Sequence, residues 1–289
     1  SRIAFLASGG KRSFTQAVFQ LGGNAGTALA PLLVIMVVFT KKIVDGQLVE
    51  ESHLERLLWF VLFPALAIVI LLFIGAWRKK LLKQAQTLKK REIPLPDLTH
   101  AQVRNSVIIL MFLVFSKNFY TAGISNYFQF YTIKTFGFTN AEAQLYLFYY
   151  LGAAAAGTLI GGFFGDRVGR KFIIWFSILG AAPFALWLPY ADAKTTAVLV
   201  VLIGFIISSA FASILVYAQE LLPKKIGMIS GVFYGFAFGM AGLGSAVLGK
   251  LIDMTSITFV YKVCSFLPLM GLTAYFLPNL RKVKTKLSE

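Results

Sequence analysis

The ten residues from Gly162 to Lys171, GFFGDRVGRK, set one carboxylate, Asp166, among three cations, Arg167, Arg170 and Lys171, with long apolar runs on either side. Such runs exceed what a soluble core uses, so the charges crowd a short turn between two membrane spans. Cations alone would fix topology; the aspartate asks for a further role. Asp166 can accept from the free N–H groups of a helix end, and Arg170 can hold a carboxylate through two parallel hydrogen bonds. Gly162 and Gly169 carry no side chain, so the helix ends there can approach and turn tightly. Contacts of this kind stabilise one conformation only, which marks the turn as a conformational gate.

A second set of chemical groups lies inside the apolar runs, where a polar side chain is costly unless it faces protein or water. Gln16, Gln20 and Asn24 recur at i, i+4 and i+8 and so share one helix face, as do Ser209, Ser213 and Tyr217. Lys117, Tyr120 and Asn126 fall in one run, Tyr146 and Tyr150 in the next. These eleven residues are the candidates for a substrate path, with interhelical hydrogen bonding as the alternative for the serines and tyrosines. Lys117 is too far from either end of its run to snorkel; it should face a wet cavity and bind an anionic group such as a phosphonate. Lys262 lies near enough to an end to snorkel. No carboxylate lies deep in any run: Asp166, Asp192, Glu220 and Asp253 all sit at ends. His53 and His100 lack ligand-spaced partners, so no metal site and no cofactor is expected. Cys264 is alone, which excludes an intramolecular disulfide.

The elements that hold these groups follow from composition. The 289 residues are 57% hydrophobic and only 14% charged, and the mean hydropathy is +0.74. No ordinary soluble domain hides that much apolar surface, so lipid is part of the solvent. The formal charge of +16 is spread over short segments between apolar runs and not along a groove, which fits topology control and no nucleic-acid partner. Eight runs reach the roughly 20 residues a helix needs to cross a bilayer: about 13 to 39, 57 to 77, 105 to 135, 143 to 164, 172 to 190, 195 to 218, 226 to 249 and 257 to 279. The side holding the 78–104, 165–171 and 219–225 connections and both chain ends carries 20 Lys and Arg, against 6 on the other; it is expected to be cytoplasmic.

The basic 78–104 stretch, with Pro94 and Pro96, reads as a linker between two bundles, with 1–77 the end of one and 105–289 the other. An offset of 214 positions lays Lys11 on Lys225, Val18 and Phe19 on Val232 and Phe233, and Ala25 and Ala28 on Gly239 and Gly242, so the first run repeats the seventh. The expectation is that four helices precede the chain. An enzyme would need a nucleophile, acid–base pair or metal cluster at the interface, and the sequence offers none; a channel would need a selectivity ring built by oligomerisation.

Gly162, Asp166, Arg167, Gly169, Arg170 and Lys171 fill the loop motif of the major facilitator superfamily, which the chain resembles. The segments ASGGKRSFTQAVFQLGGNAG, ILVYAQELLP and GMISGVFYGFAFGMAGLG are similar to drug exporters of the fosmidomycin-resistance type within it. The resemblance covers essentially the whole chain and implies an all-α, multi-pass helical bundle holding eight of twelve transmembrane helices, family helices five to twelve. It implies proton-coupled efflux of a small anionic drug or metabolite by alternating access, from a monomer in the bacterial inner membrane. An importer on the same fold, or a non-transporting fragment, are the alternatives. The family's proline-bearing glycine motif is matched only in part by GTALAP at 26–31, where Ala30 precedes Pro31 and Val34 and Ile35 stand in place of a glycine pair. The resemblance also implies that Glu220 pairs with an arginine of the turn, and that Asp166 approaches the start of the first run near Lys11, Arg12 and Ser13.

Overall fold

The computed structural model describes residues 11–44, 47–85 and 98–280. Eight segments of the described residues are helices long and apolar enough to cross a membrane, matching the eight expected runs. The chain packs as two compact units that divide after Leu32: residues 11–32 lie with 98–280, and residues 33–85 form the other.

Helix α1, Arg12–Val38, runs through the division and contains Pro31. Beyond it the smaller unit holds an antiparallel hairpin, β1 (Phe39–Val44) and β2 (Gln47–Ser52), with Phe39 opposite Ser52. The stretch read as a plain connection is therefore a strand pair, and its sequence signal is the Asp45-Gly46 dipeptide between two alternating segments. A 3-10 helix, Leu54–Val61, leads into α2, Leu62–Ala85. Apolar side chains dominate its exposed surface, Leu72 and Phe73 among them, as a helix facing lipid requires. The expected linker from 78 to 104 begins and ends as helix, in α2 and in the next element; residues 86–97 lie outside the described ones.

The larger unit continues with α3 (His100–Phe136), α4 (Asn140–Arg167), α5 (Arg170–Trp187), α6 (Ala193–Ser208), α7 (Ala210–Leu221), α8 (Ile226–Met254) and α9 (Ile257–Cys264). Local sequence sets the starts of α3 and α4. Thr99 and Gln102, and Thr139 and Glu142, each satisfy one another's backbone N–H in a capping box. Gly137 ends α3 at φ 69°, a left-handed conformation that glycine adopts without strain. The sixth run is not one helix. The Ser209 N–H reaches back three residues to Ile206 O, 3.2 Å, and its hydroxyl donates to the same oxygen at 2.7 Å, so the ladder tightens and α7 starts afresh. In the last run α9 gives way to a 3-10 helix, Leu267–Phe276, near Pro268, which lacks a backbone donor.

Helix α4 sits unusually close to its neighbours. A Cβ on Gly157 would fall 2.0 Å from Phe205 O, and one on Gly161 would fall 2.4 Å from Ser209. That approach, available only to residues without side chains, brings the charged end of α4 against α7. Two apolar clusters fill the bundle: one around Leu113, Ile178, Ile214 and Phe233, the other around Phe128, Tyr150, Ile203 and Tyr261.

Candidate functional site

The turn between α4 and α5 is where the sequence places it, and Gly169 holds φ 120° there, which side-chain-bearing residues rarely adopt. One turn before it, a Cβ on Gly162 would come within 2.3 Å of Ala17 Cβ and 2.8 Å of Ser13 O, so glycine is what lets α1 lie directly on α4. Asp166 then meets the beginning of α1. Its Oδ1 accepts from Ser13 N at 3.0 Å and its Oδ2 from Phe14 N at 2.9 Å. Both are first-turn donors with no partner inside their own helix, and α1 has no acidic residue in its first turn.

Arg170 ties the rest together. Its Nη2 donates to Asp166 Oδ1 at 3.0 Å, its Nε to Ser13 Oγ at 2.9 Å and its Nη1 to Glu220 Oε2 at 2.5 Å. Glu220, buried at the end of α7, also accepts from Arg12 Nη1 at 2.8 Å. The expected Glu220 pairing is thus made by Arg170. Asp166 thus approaches the start of the first run and its free backbone N–H groups as expected; of the cations there, Arg12 pairs with Glu220 and Lys11 makes no ion pair among the described residues. Arg170 adds its guanidinium to the aspartate. Arg167 lies 4.0 Å over the Phe163 ring, and Lys171 donates to Tyr275 O at 2.8 Å. A hollow of about 510 Å³ opens beside them, walled by Arg170, Trp175, Tyr217 and Tyr275 among others.

In the middle of the spans the candidate path residues divide. Gln16 and Gln20 both donate from Nε2 to the Tyr234 hydroxyl on α8, at 2.8 and 3.4 Å. The Tyr234 ring meets Phe211 of α7 edge to face with centroids 5.5 Å apart. Lys117 of α3 is 8% exposed and places its ammonium 5.0 Å from the Phe211 centroid. Three of the expected groups, from two helices, are therefore gathered through two aromatic rings that sequence reasoning did not single out. Tyr234 had a signal, because the 214-residue offset lays Gln20 on Tyr234. Phe211 had none beyond being one of many apolar residues.

The other eight candidates stand apart from this group. Asn24 donates to Thr158 Oγ1 on α4 at 2.8 Å. Asn126 bonds Ser245 Oγ at 2.7 Å, Tyr146 the Ala193 carbonyl at 3.2 Å and Tyr217 the Pro278 carbonyl at 2.5 Å. Ser209 bonds within its own chain turn, and Ser213 Oγ packs against Gly165. Tyr120 and Tyr150 are buried in the second apolar cluster. Asn24, Asn126 and Tyr146 thus bond between helices, while the Tyr120 and Tyr150 hydroxyls and Ser213 Oγ are buried with no hydrogen-bond partner among the described residues. Lys262, exposed as a snorkelling residue would be, lies over the Tyr190 ring at 5.1 Å. Among the described residues no group of His, Cys, Asp and Glu could hold a metal.

Comparison with known proteins identifies the family. The family described as Major Facilitator Superfamily matches residues 2–245. The chain is 51% identical over 285 residues to the fosmidomycin resistance protein of Escherichia coli (strain K12), covering 97% of this chain and 66% of that one. It is 37% identical over 287 residues to the uncharacterized MFS-type transporter YfnC of Bacillus subtilis (strain 168), covering 98% of this chain and 67% of that one. A cis,cis-muconate transport protein of Acinetobacter baylyi is 25% identical over 244 residues, covering 82% of this chain and 55% of that one. The chain thus spans about two thirds of the length of the first two relatives.

Proposed function

The chain belongs to the major facilitator superfamily, and on that premise we propose that the whole protein is a secondary transporter that exports a small organic anion across the bacterial inner membrane, in exchange for protons, by alternating access. In this reading residues 1–77 end the first six-helix bundle, 78–104 link the bundles on the cytoplasmic side, and 105–289 form the second. The transporter works as a monomer with both chain ends in the cytoplasm.

Two contacts support the gating part. Asp166 on the α1 donors and Glu220 between Arg12 and Arg170 join helices on opposite sides of the linker. They form only while the bundles are closed on the cytoplasmic side, so they bias a conformational equilibrium toward the outward-open state. Gly162 and Gly169 allow the approach, while Arg167 and Lys171 hold the turn against aromatic rings. Proton coupling rests on the family resemblance alone.

The observation that carries the anion is Lys117. A buried ammonium with no carboxylate or hydrogen bond among the described residues is costly in hydrocarbon, and a substrate that brings its own negative charge offsets that cost. The relatives' names are in keeping with a small organic substrate: one is a fosmidomycin resistance protein and another a cis,cis-muconate transport protein. The test is Lys117→Met in the full-length protein. Drug resistance conferred on sensitive cells is expected to fall at least tenfold at equal membrane expression, roughly the effect of losing one charge-assisted hydrogen bond. Resistance equal to that of the unaltered protein would defeat the reading. Counterflow of labelled anions in proteoliposomes separates export from uptake.

A further inference from the structure

Between α3, α8 and α9 lies a cavity of about 10 Å³, walled by Tyr120, Gly123, Tyr127, Leu248, Tyr261 and Cys264 among others. A space of that size holds one water molecule and nothing larger. Gly123 helps to keep it open, since a Cβ there would come within 3.3 Å of Leu248 Cδ1.

Three polar groups border this space, and their hydrogen bonding is uneven. The Tyr120 side chain is 3% exposed, and its hydroxyl has no protein partner among the described residues. Turning the O–H about its bond changes nothing, because no protein acceptor lies within reach of that oxygen. Tyr261 gives its one proton to Gly123 O at 3.0 Å, which leaves its own oxygen able to accept. Cys264 is a free, buried thiol, a weak donor and a weak acceptor. One phenol therefore has a proton to give and the other an oxygen to receive one, yet the two are not bonded to each other. A buried hydroxyl left in that condition is costly. What removes the cost is a molecule that fits the space, accepts once and donates twice.

We infer that the cavity binds a single structural water molecule, which accepts from Tyr120 and donates to Tyr261 Oη and Cys264 Sγ, and so ties α3 to α9. Three partners is the usual number for a buried water. The inference is independent of what the protein carries. It explains why a tyrosine stands at position 120 in an apolar cluster where phenylalanine, as at Phe128, would pack as well.

The sign of a stability change tests it in the purified full-length protein in lipid nanodiscs. Tyr120→Phe keeps the ring and removes the hydroxyl. With the water in place, the change leaves that water one partner short, and the melting temperature is expected to fall by about 2 °C, the shift for one hydrogen bond in a large domain. Removing a hydroxyl that bonds to nothing relieves a cost, so an unchanged or raised melting temperature overturns the inference. Tyr131→Phe is the control, because the Tyr131 hydroxyl is also buried without a protein partner but does not border this cavity. An equal fall in both variants overturns the assignment to this site. A structure of the same protein that shows ordered water should place one peak within roughly 2.5 to 3.2 Å of both Tyr120 Oη and Tyr261 Oη. No peak there, or Tyr120 Oη bonded directly to protein, overturns the inference as well.

Discussion

The charged end of α4 and the second and third turns of α1 are both polar regions inside an apolar bundle, and they solve the cost of burial in opposite ways. At the turn both carboxylates have their complement: Asp166 receives two backbone N–H groups and a guanidinium, and Glu220 lies between two arginines. Further in, among the described residues, Lys117 has a ring face and no carboxylate, and Gln16 and Gln20 keep carbonyl oxygens with nothing to accept. A satisfied network stabilises one arrangement of helices, whereas an unsatisfied one raises the energy of the empty site and is relieved by a ligand. The contrast teaches that satisfaction, more than polarity, distinguishes a lock from a binding surface.

The comparison fails first, if it fails, at Glu220. Changing Glu220→Gln leaves the Arg12 and Arg170 guanidinium groups facing a neutral amide. With side chains this buried, the closed arrangement is expected to lose about 3 to 5 kcal/mol. Spin-label distances across the two bundles read this loss as a large shift of the population toward the cytoplasm-open form. A loss below about 1 kcal/mol would class the cluster with ordinary surface ion pairs and erase the contrast.

A smaller effect is expected from Asp166→Asn. The amide still accepts one backbone bond, but the charge that answers the positive end of α1 is gone, a change worth about 1 to 2 kcal/mol in a partly buried setting. On the proposed gating role, the difference appears as a shift of populations toward the cytoplasm-open form. Spin-label distances across the two bundles measure it directly. An unchanged distance distribution would mean that the aspartate serves its own turn and nothing beyond.

The smallest effect sharpens the comparison from inside the spans. Asn126 is a polar mid-span residue like Lys117, yet it is satisfied by Ser245 and by its own helix. Asn126→Ala is expected to cost about 0.6 kcal/mol, the mean for interhelical hydrogen bonds in a membrane, and to leave transport rate and substrate affinity as they were. Altered affinity for an anionic probe would place Asn126 with Lys117 and break the division drawn from satisfaction.

Much of the fold was legible because it depends on neighbours in sequence. Span lengths follow from runs of apolar residues, and the starts of α3 and α4 from the Thr99–Gln102 and Thr139–Glu142 spacings. Where the reading fell short, short-range hydrogen bonding had competed with the helix, as at Ser209, or apolar length had masked a change of helix type, as after Cys264. The candidate site was legible in residue type and less so in assignment. Eleven polar path residues looked alike on paper, and the structure gathers Gln16, Gln20 and Lys117 while giving Asn126, Tyr146 and Tyr217 to helix contacts.

What the sequence determined by itself is whatever a single helix or turn can express. That covers eight membrane spans, a basic side, a tight turn at Gly169 and a carboxylate set among cations. Hydrophobicity, capping and backbone freedom act over a few residues, so they are written where they act. Only the tertiary structure decided which groups complete one another. Arg12 and Glu220 stand 208 positions apart and Gln16 and Tyr234 stand 218. Whether such pairs meet depends on how closely α1, α4, α7 and α8 pack, and that closeness is set by side chains as small as those of Gly162 and Ala17, whose effect is felt only when a second helix arrives.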